Sequence, residues 1–214
     1  MTDWIRVAGE LYEQAGTVPR LKQQARAAIC PFDPLIEAVP QGARVLDVGC
    51  GAGLFLACLA REGRISAGFG FDASAAAVAQ AQAMRAELPA SPPLAIEHRA
   101  VEAPWPDEQY DVVSMVDVLH HVDPAHQREA VLNAAARVRP GGLMLYKDMA
   151  LKPRWMALAN RLHDLVFAQQ WINYAPFGEV AGWLVAVGFK QERFHAFRRL
   201  WYAHELGLFR KPGP

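Results

Sequence analysis

The stretch VLDVGCGAG, Val45 to Gly53, constrains this chain more than any other. It lies in and after a run over Ala43 to Val48 that is broken only by Arg44 and closes around Asp47, as a parallel strand buried on both faces requires. Gly49, Gly51 and Gly53 then alternate with other residues before LFLACLARE takes up a helical pattern. Glycines between a buried strand and a helix let the backbone turn tightly and present amide groups to a ligand. Such a turn belongs to α/β sheets that bind ligands at the carboxyl ends of their strands.

The downstream pattern agrees with that class. ISAGFGFD reads as a second strand closing at Asp72, and ASAAAVAQAQAMRAEL as an alanine-rich helix capped by Ser74. A loop around Pro89 to Pro93 leads to a third strand, LAIEHRA, and YDVVSMV, Tyr110 to Val116, is a fourth. HQREAVLNAAARVR is a helix expected to stop at a turn, Pro140-Gly141-Gly142, before a fifth strand, GLMLYKD. Helical VAGWLVAV, with Trp183 read as core, precedes two extended runs, GFKQERFHAF and LWYAHELGLFRK, expected as an antiparallel hairpin at the sheet edge. The prediction is a mostly parallel sheet with helices on both faces.

Two short amphipathic helices are predicted upstream, one through Trp4, Ala8, Leu11, Tyr12 and Ala15, the other through Leu21, Ala25, Ala28 and Ile29. Residues 1–40 are read as a helical lid and 41–214 as the core, with an aromatic-rich insert at about 149–178 carrying Trp155, Phe167, Trp171, Tyr174 and Phe177. A connection of that length in a compact domain is usually functional.

Composition narrows the partners. The 22 basic and 22 acidic side chains cancel, so no long-range field draws in nucleic acid or an anionic membrane. Cys30, Cys50 and Cys58 lack metal-ligand spacing and read as buried thiols of a reducing cytoplasm. Asp3, Arg6, Glu10 and Glu13 stand where a secretory signal needs apolar residues, and LVFAQQWINYAPFG falls short of the roughly 20 residues that cross a bilayer. A soluble, cytoplasmic protein without a transmembrane segment is expected.

Three chemistries use a turn like Gly49 to Gly53. A phosphate-cradling P-loop needs a lysine and a hydroxyl after its last glycine, where this chain has Leu54 and Phe55. The dinucleotide fingerprint fits Gly49 and Gly51 but meets Leu54 at its third position, which crowds the helix–strand contact and disfavours a nicotinamide cofactor. A nucleoside without pyrophosphate tolerates this geometry, and Asp47 can reach a cationic amine or brace the turn. S-adenosylmethionine fits that description.

VLDVGCGAG resembles the first motif of class I S-adenosylmethionine-dependent methyltransferases, an acidic residue followed by G-x-G-x-G. The order of strands and helices after residue 40 is similar to that family's Rossmann-like, seven-stranded sheet. The resemblance implies that Asp47, Gly49, Cys50, Gly51 and Gly53 form the cofactor turn. It implies that Asp72 accepts hydrogen bonds from the ribose diol and that Ala73 packs on adenine. For Asp72 the alternative is an acid that stabilises a helix N-terminus. Where the family often has G-D-A past the third strand, this chain has Arg99, Ala100, Val101 and Glu102, which leaves adenine to the Val101 main chain or to Glu102. Asp117 resembles the position under the methionine part of the cofactor.

His120 and His121 follow Asp117 on a helical turn, so their side chains diverge by about 100° and at most one faces the methyl group. Such a histidine can take a proton from an acceptor hydroxyl or activated carbon, or serve as a core residue bonded to a carbonyl. Alternation puts Tyr146 and Asp148 on one face of the fifth strand and Lys147 on the other. Asp148 is thus a second base candidate, or a cap. His121, Asp123 and His126 match no recognised ligand set, so no metal is predicted. Trp105 is read as a packing lid, and His163, His195 and His204 as structural or surface residues.

Within the family, the chain resembles bacterial small-molecule enzymes, with a further likeness to aryl-polyene and polyketide pathway methyltransferases in ARAAICPFDPLIEAVP and LWYAHELGLFRK. Arg26, Cys30 and Phe32 of the N-terminal helices and the aromatic insert are expected to close over an apolar or aromatic acceptor: phenolic, quinone-like or polyketide/fatty-acyl-like, free or carrier-bound. Oxygen, carbon and nitrogen acceptors are all compatible, and no oligomeric state is selected. Two other readings remain: an NAD(P)-dependent oxidoreductase, and a noncatalytic interaction module that keeps the fold.

Overall fold

The computed structural model describes residues 2–150, 173–199 and 202–213. They form two compact units, Met1–Ala103 and Pro104–Pro214. In the first, α1 (Trp4–Leu11), a 3-10 turn (Glu13–Ala15), α2 (Thr17–Ile29) and α3 (Phe32–Ala38) precede β1 (Ala43–Val48). Then come α4 (Leu54–Arg61), β2 (Ile65–Asp72), α5 (Ala75–Glu87) and β3 (Leu94–His98). The strands run parallel in the order β3-β2-β1, with Asp47 beside Gly70 and Asp72 beside His98. Ser74 caps α5 by accepting from the Ala77 amide at 3.2 Å.

Helix α3 adds a third helix to the two expected upstream of the core. Pro31 is the N-cap and Pro34 lies in the first turn, where the missing amide hydrogen has no carbonyl to meet. Its buried Phe32 packs between Trp4 and Phe55, with ring centroids 5.9 and 6.3 Å away, and the Trp4 indole donates to Asp33 Oδ1 at 2.7 Å.

The second unit holds β4 (Tyr110–Val116), a 3-10 turn (Leu119–His121), α6 (Pro124–Arg137) and β5 (Val138–Met149). After them come α7 (Phe177–Ala186), β6 (Lys190–Arg199) and β7 (Tyr202–Arg210). Its order is β4-β5-β7-β6; β4 and β5 are parallel, and β7 is antiparallel to both neighbours. The seven strands therefore form the mostly parallel sheet with a C-terminal antiparallel hairpin expected from the sequence.

Pro140-Gly141-Gly142 corrects one expectation. The helix ends earlier, at Arg137, and β5 already pairs at Val138. Tyr110 pairs with Val138 and Val112 with Leu143, so the intervening residues bulge out of the ladder. Gly141 turns there with φ +74°, and its amide donates to the Lys211 carbonyl at 3.1 Å. Trp183 is half-buried, and β6 is an edge strand exposed along most of its length.

Trp155, Phe167 and Trp171, and with them most of the predicted acceptor-closing insert, lie outside the described residues. No helix among the described residues is long and apolar enough to cross a membrane.

Candidate functional site

In the first unit, the polar groups gather around the turn after β1. Gly49, Gly51 and Gly53 have φ of +67°, +56° and +82°, the left-handed region that disfavours a Cβ. Gly53 is also the N-cap of α4 and sits tightly: a Cβ there would lie 3.0 Å from Ile96 and 3.2 Å from Ala81 and Met84. At Gly51 a Cβ would meet nothing within 4 Å, so this part of the turn opens to space a ligand can fill.

Asp72, at the end of β2, joins the turn to α5. Its Oδ2 accepts from the Gly51 amide and its Oδ1 from the Ser74 amide, both at 2.8 Å. The Asp72 side chain thus supports the start of α5, as one of its two readings requires, and also holds the glycine turn. A carboxylate offers about four lone-pair positions, so roughly two remain for hydroxyl donors such as a ribose diol. The Asp72 carbonyl accepts from the Arg99 amide at 2.9 Å, which brings the residues after β3 alongside. There Val101 is half-buried and Glu102 exposed; Ala73 is exposed, its carbonyl bonded to His98 Nε2 at 3.0 Å.

Cys50 belongs to the turn through its main chain. Its amide donates to the Phe71 carbonyl at 3.0 Å and its carbonyl accepts from Gly53 at 2.9 Å, while its side chain packs with Val78, Ala81 and Ile96. Burial, followed by Asp47 and Asp72, pushes its thiol well above the usual range. Asp47 is 2% exposed. Tyr12, read from the sequence only as an apolar position, reaches the turn from just past α1: its buried hydroxyl donates to the Ala52 carbonyl at 2.5 Å.

The second unit carries a different cluster. Asp148, near the end of β5, accepts from His120 Nδ1, from the His120 amide at 3.3 Å and from the Met149 amide at 2.7 Å. Both side chains are buried. Two of the candidate bases are therefore one hydrogen-bonded pair, in which the carboxylate fixes the ring and directs the Nδ1 proton toward itself. His121 is exposed, and its ring lies tilted against that of His120 with centroids 4.1 Å apart. Gln127 of α6 steadies the turn by donating to the carbonyls of Leu119, Val122 and Asn173 at 3.1, 3.3 and 2.7 Å. The Asn173 amide donates to the His120 carbonyl at 2.8 Å, and the Tyr174 ring lies 6.0 Å from His120.

Asp117 is bound by Lys147, for which the sequence suggests no role beyond a face of the fifth strand. Lys147, fully buried, donates from Nζ to both Asp117 oxygens at 2.5 and 2.6 Å. The Asp117 amide donates to the Lys147 carbonyl at 2.9 Å. Asp117 is the non-glycine residue with positive φ among the described residues, at +55°, so both ends of the residue are tied while its backbone is strained. The alternation that put Lys147 opposite Asp148 was readable; its partner, 30 residues upstream, was not. Phe177 packs on Tyr146, Phe194 and Phe209 at 6.0, 4.6 and 6.1 Å, in an aromatic cluster on the hairpin. Trp105 is buried, and no group of three or more metal-ligating side chains is assembled among the described residues.

A seven-stranded sheet with this hairpin, and a glycine turn bonded to the acid of the second strand, are the arrangement of a Rossmann-like fold of the methyltransferase type. A methyltransferase-domain family matches residues 21–193, and the chain belongs to it. The ubiquinone biosynthesis O-methyltransferase of Albidiferax ferrireducens is 34% identical over 138 residues, 64% of this chain and 51% of that protein. The chain spans about half the length of the curated relatives it matches. The N-methyltransferase NodS of Bradyrhizobium japonicum, solved with S-adenosyl-L-homocysteine, superposes with a TM-score of 0.67 at 16% identity, covering 99% of this chain and 100% of that one. The [4+2]-cyclase SpnF superposes with a TM-score of 0.69 at 17% identity, covering 90% and 83%. One fold thus carries different reactions, and the reaction has to be argued from the site.

Proposed function

We infer that this chain transfers a methyl group from S-adenosylmethionine to a hydroxyl of a small apolar or aromatic acceptor, with His120, held by Asp148, as general base. The buried His120–Asp148 pair carries this reading. With the Nδ1 proton directed at the carboxylate, the imidazole lone pair sits on Nε2, where it can receive the proton of an acceptor hydroxyl, and Asp148 balances the resulting charge. When bound, S-adenosylmethionine supplies a methyl group already activated on a sulfonium. The chain's own work is then to hold the nucleoside, orient the acceptor and take its proton.

Family membership and the turn support the cofactor. Gly49, Gly51, Gly53 and the Cys50 main chain would line it, with Asp47 bracing the turn and Asp72 offering its remaining lone pairs to the ribose. Ala73, Val101 and Glu102 would border adenine. Asp117, its charge balanced by Lys147, would stand near the methionine end. The name borne by the curated relatives supports oxygen as the acceptor atom and a quinone-like or phenolic acceptor. Polyketide or fatty-acyl-like acceptors, free or carrier-bound, belong in the same screen. Balanced charge speaks against nucleic acid, and the cysteine usage for a cytoplasmic setting.

Calorimetric titration with S-adenosylmethionine and S-adenosylhomocysteine, followed by a screen of phenols and acyl chains, tests the reading. Asp72→Asn should weaken cofactor binding by about tenfold or more. His120→Gln should leave cofactor affinity within about twofold and lower kcat by about 100-fold or more. Absence of cofactor binding in the unaltered chain would overturn the proposal, and nicotinamide binding in its place would restore the oxidoreductase reading. Cofactor binding without turnover on any acceptor would favour an interaction module.

A further inference from the structure

Strand β7 sets a second carboxyl beside the His120–Asp148 pair. In the β5–β7 register Glu205 stands directly opposite Asp148. Residues opposite each other on antiparallel strands share one face, with Cβ atoms about 5 Å apart, and like charges placed so repel. Asp148 is 5% exposed and Glu205 is half-buried, so water only partly screens them.

Among the described residues that face Glu205 from β5, β6 and α7, the one cation is solvent-exposed and only partly offsets that repulsion. From β5 come Asp148 and, two residues earlier on the same face, Tyr146, whose phenol burial and the nearby carboxylates keep protonated. From β6, Ala196 lies opposite, flanked on the same face by Phe194 and the solvent-exposed Arg198. From α7 the Phe177 ring lies over Gly207, where a Cβ would come within 2.7 Å of it. His120 reaches the patch through Asp148. Burial first, and Asp148 second, hold the Glu205 carboxyl above the ordinary glutamate range.

We propose that Glu205 is a positioning residue that sets the working pH of His120 through Asp148. Ionised, it adds a second negative charge behind the ring and favours the imidazolium, making His120 a stronger base; protonated, it withdraws that support. This rests on the reading of His120 as the base, but the coupling itself can be observed without turnover.

The test is an NMR titration of the histidine rings in the full chain, with the His120 signals assigned by their loss in His120→Gln. Glu205→Gln and Glu205→Ala, both neutral, should lower the His120 midpoint by about half a unit to one unit, the size expected for one partly screened charge acting through an intervening residue. Glu205→Asp keeps the charge and should stay within about 0.3 unit of the original. The acid limb of kcat should move with the midpoint. A midpoint unchanged in both neutral variants, or one that moves equally in Glu205→Asp, would overturn the proposal. A midpoint that moves while the pH profile of kcat stays fixed would uphold the coupling and remove His120 as the base, so the two readings fail separately.

Discussion

Around the glycine turn, the central polar contacts each end on a main-chain atom: Asp72 on the Gly51 and Ser74 amides, Tyr12 on the Ala52 carbonyl. In the Pro104–Pro214 unit the central contacts join side chain to side chain, His120 to Asp148 and Lys147 to Asp117. A main-chain site depends on φ values that the local sequence dictates, and its partners can often be replaced by water. A side-chain site buried in a sheet depends on register between strands, and losing one member strands the other charge away from solvent. The first arrangement suits a ligand recognised by shape and hydrogen bonds, and the second holds a reactive group in one orientation.

Lys147 gives the largest effect by which that contrast can be broken. Lys147→Met leaves the Asp117 carboxylate with its buried cation gone, and stability should fall by about 3–5 kcal/mol in urea unfolding. Asp72→Asn keeps an oxygen acceptor for one of the two amides and should cost only about 1–2 kcal/mol. Equal losses would mean that the two clusters are bonded alike, and the distinction would fail. Asp117→Asn combined with Lys147→Met should recover part of the loss, because the stranded charge is then gone.

The glycines come next and sharpen the comparison within one turn. Gly53→Ala forces a Cβ into φ +82° and against Ile96, Ala81 and Met84 at 3.0–3.2 Å. Strain and crowding together should lower stability by about 2–3 kcal/mol. Gly51→Ala meets strain but open space and should cost only about 1–2 kcal/mol. If the open side of Gly51 is where the cofactor lies, this milder variant should nevertheless lose more affinity for S-adenosylhomocysteine per unit of lost stability. Thermal unfolding beside calorimetry would show whether stability and binding separate at these two neighbours.

The same contrast explains what the sequence made legible. Val45 to Gly53 announces its strand, turn and helix because positive φ at glycine is a local property, and Asp72 follows from the next strand closing where a helix cap begins. His120 is readable as a residue of the turn after the fourth strand and Asp148 as one at the end of the fifth. Their bond spans 28 residues and needs the β4–β5 register, which alternation alone does not supply. Lys147 was hidden for the same reason, since a lysine at a strand end ordinarily reaches for solvent and this one is fully buried. Helix α3 was missed because prolines in a first turn look the same in sequence as prolines that end a helix, and the Pro140 bulge because pairing resumes across it.

Tyr12 gives the smallest effect and bears on how the N-terminal helices serve the turn. Its hydroxyl is buried, and burial keeps the phenol protonated, so it acts as a donor to Ala52 across the working pH range. Tyr12→Phe retains the ring and the packing and removes only the donor, leaving one carbonyl of the turn less well satisfied. Stability should fall by about 1 kcal/mol, with helix content by circular dichroism unchanged. If the hydroxyl helps to hold the glycine turn in its binding conformation, S-adenosylhomocysteine affinity should also fall, by about two- to fivefold, and the loss should appear chiefly as a faster dissociation rate. Unchanged affinity beside the expected loss of stability would make Tyr12 a packing tie alone, and the N-terminal helices would then support the fold without shaping the cofactor turn.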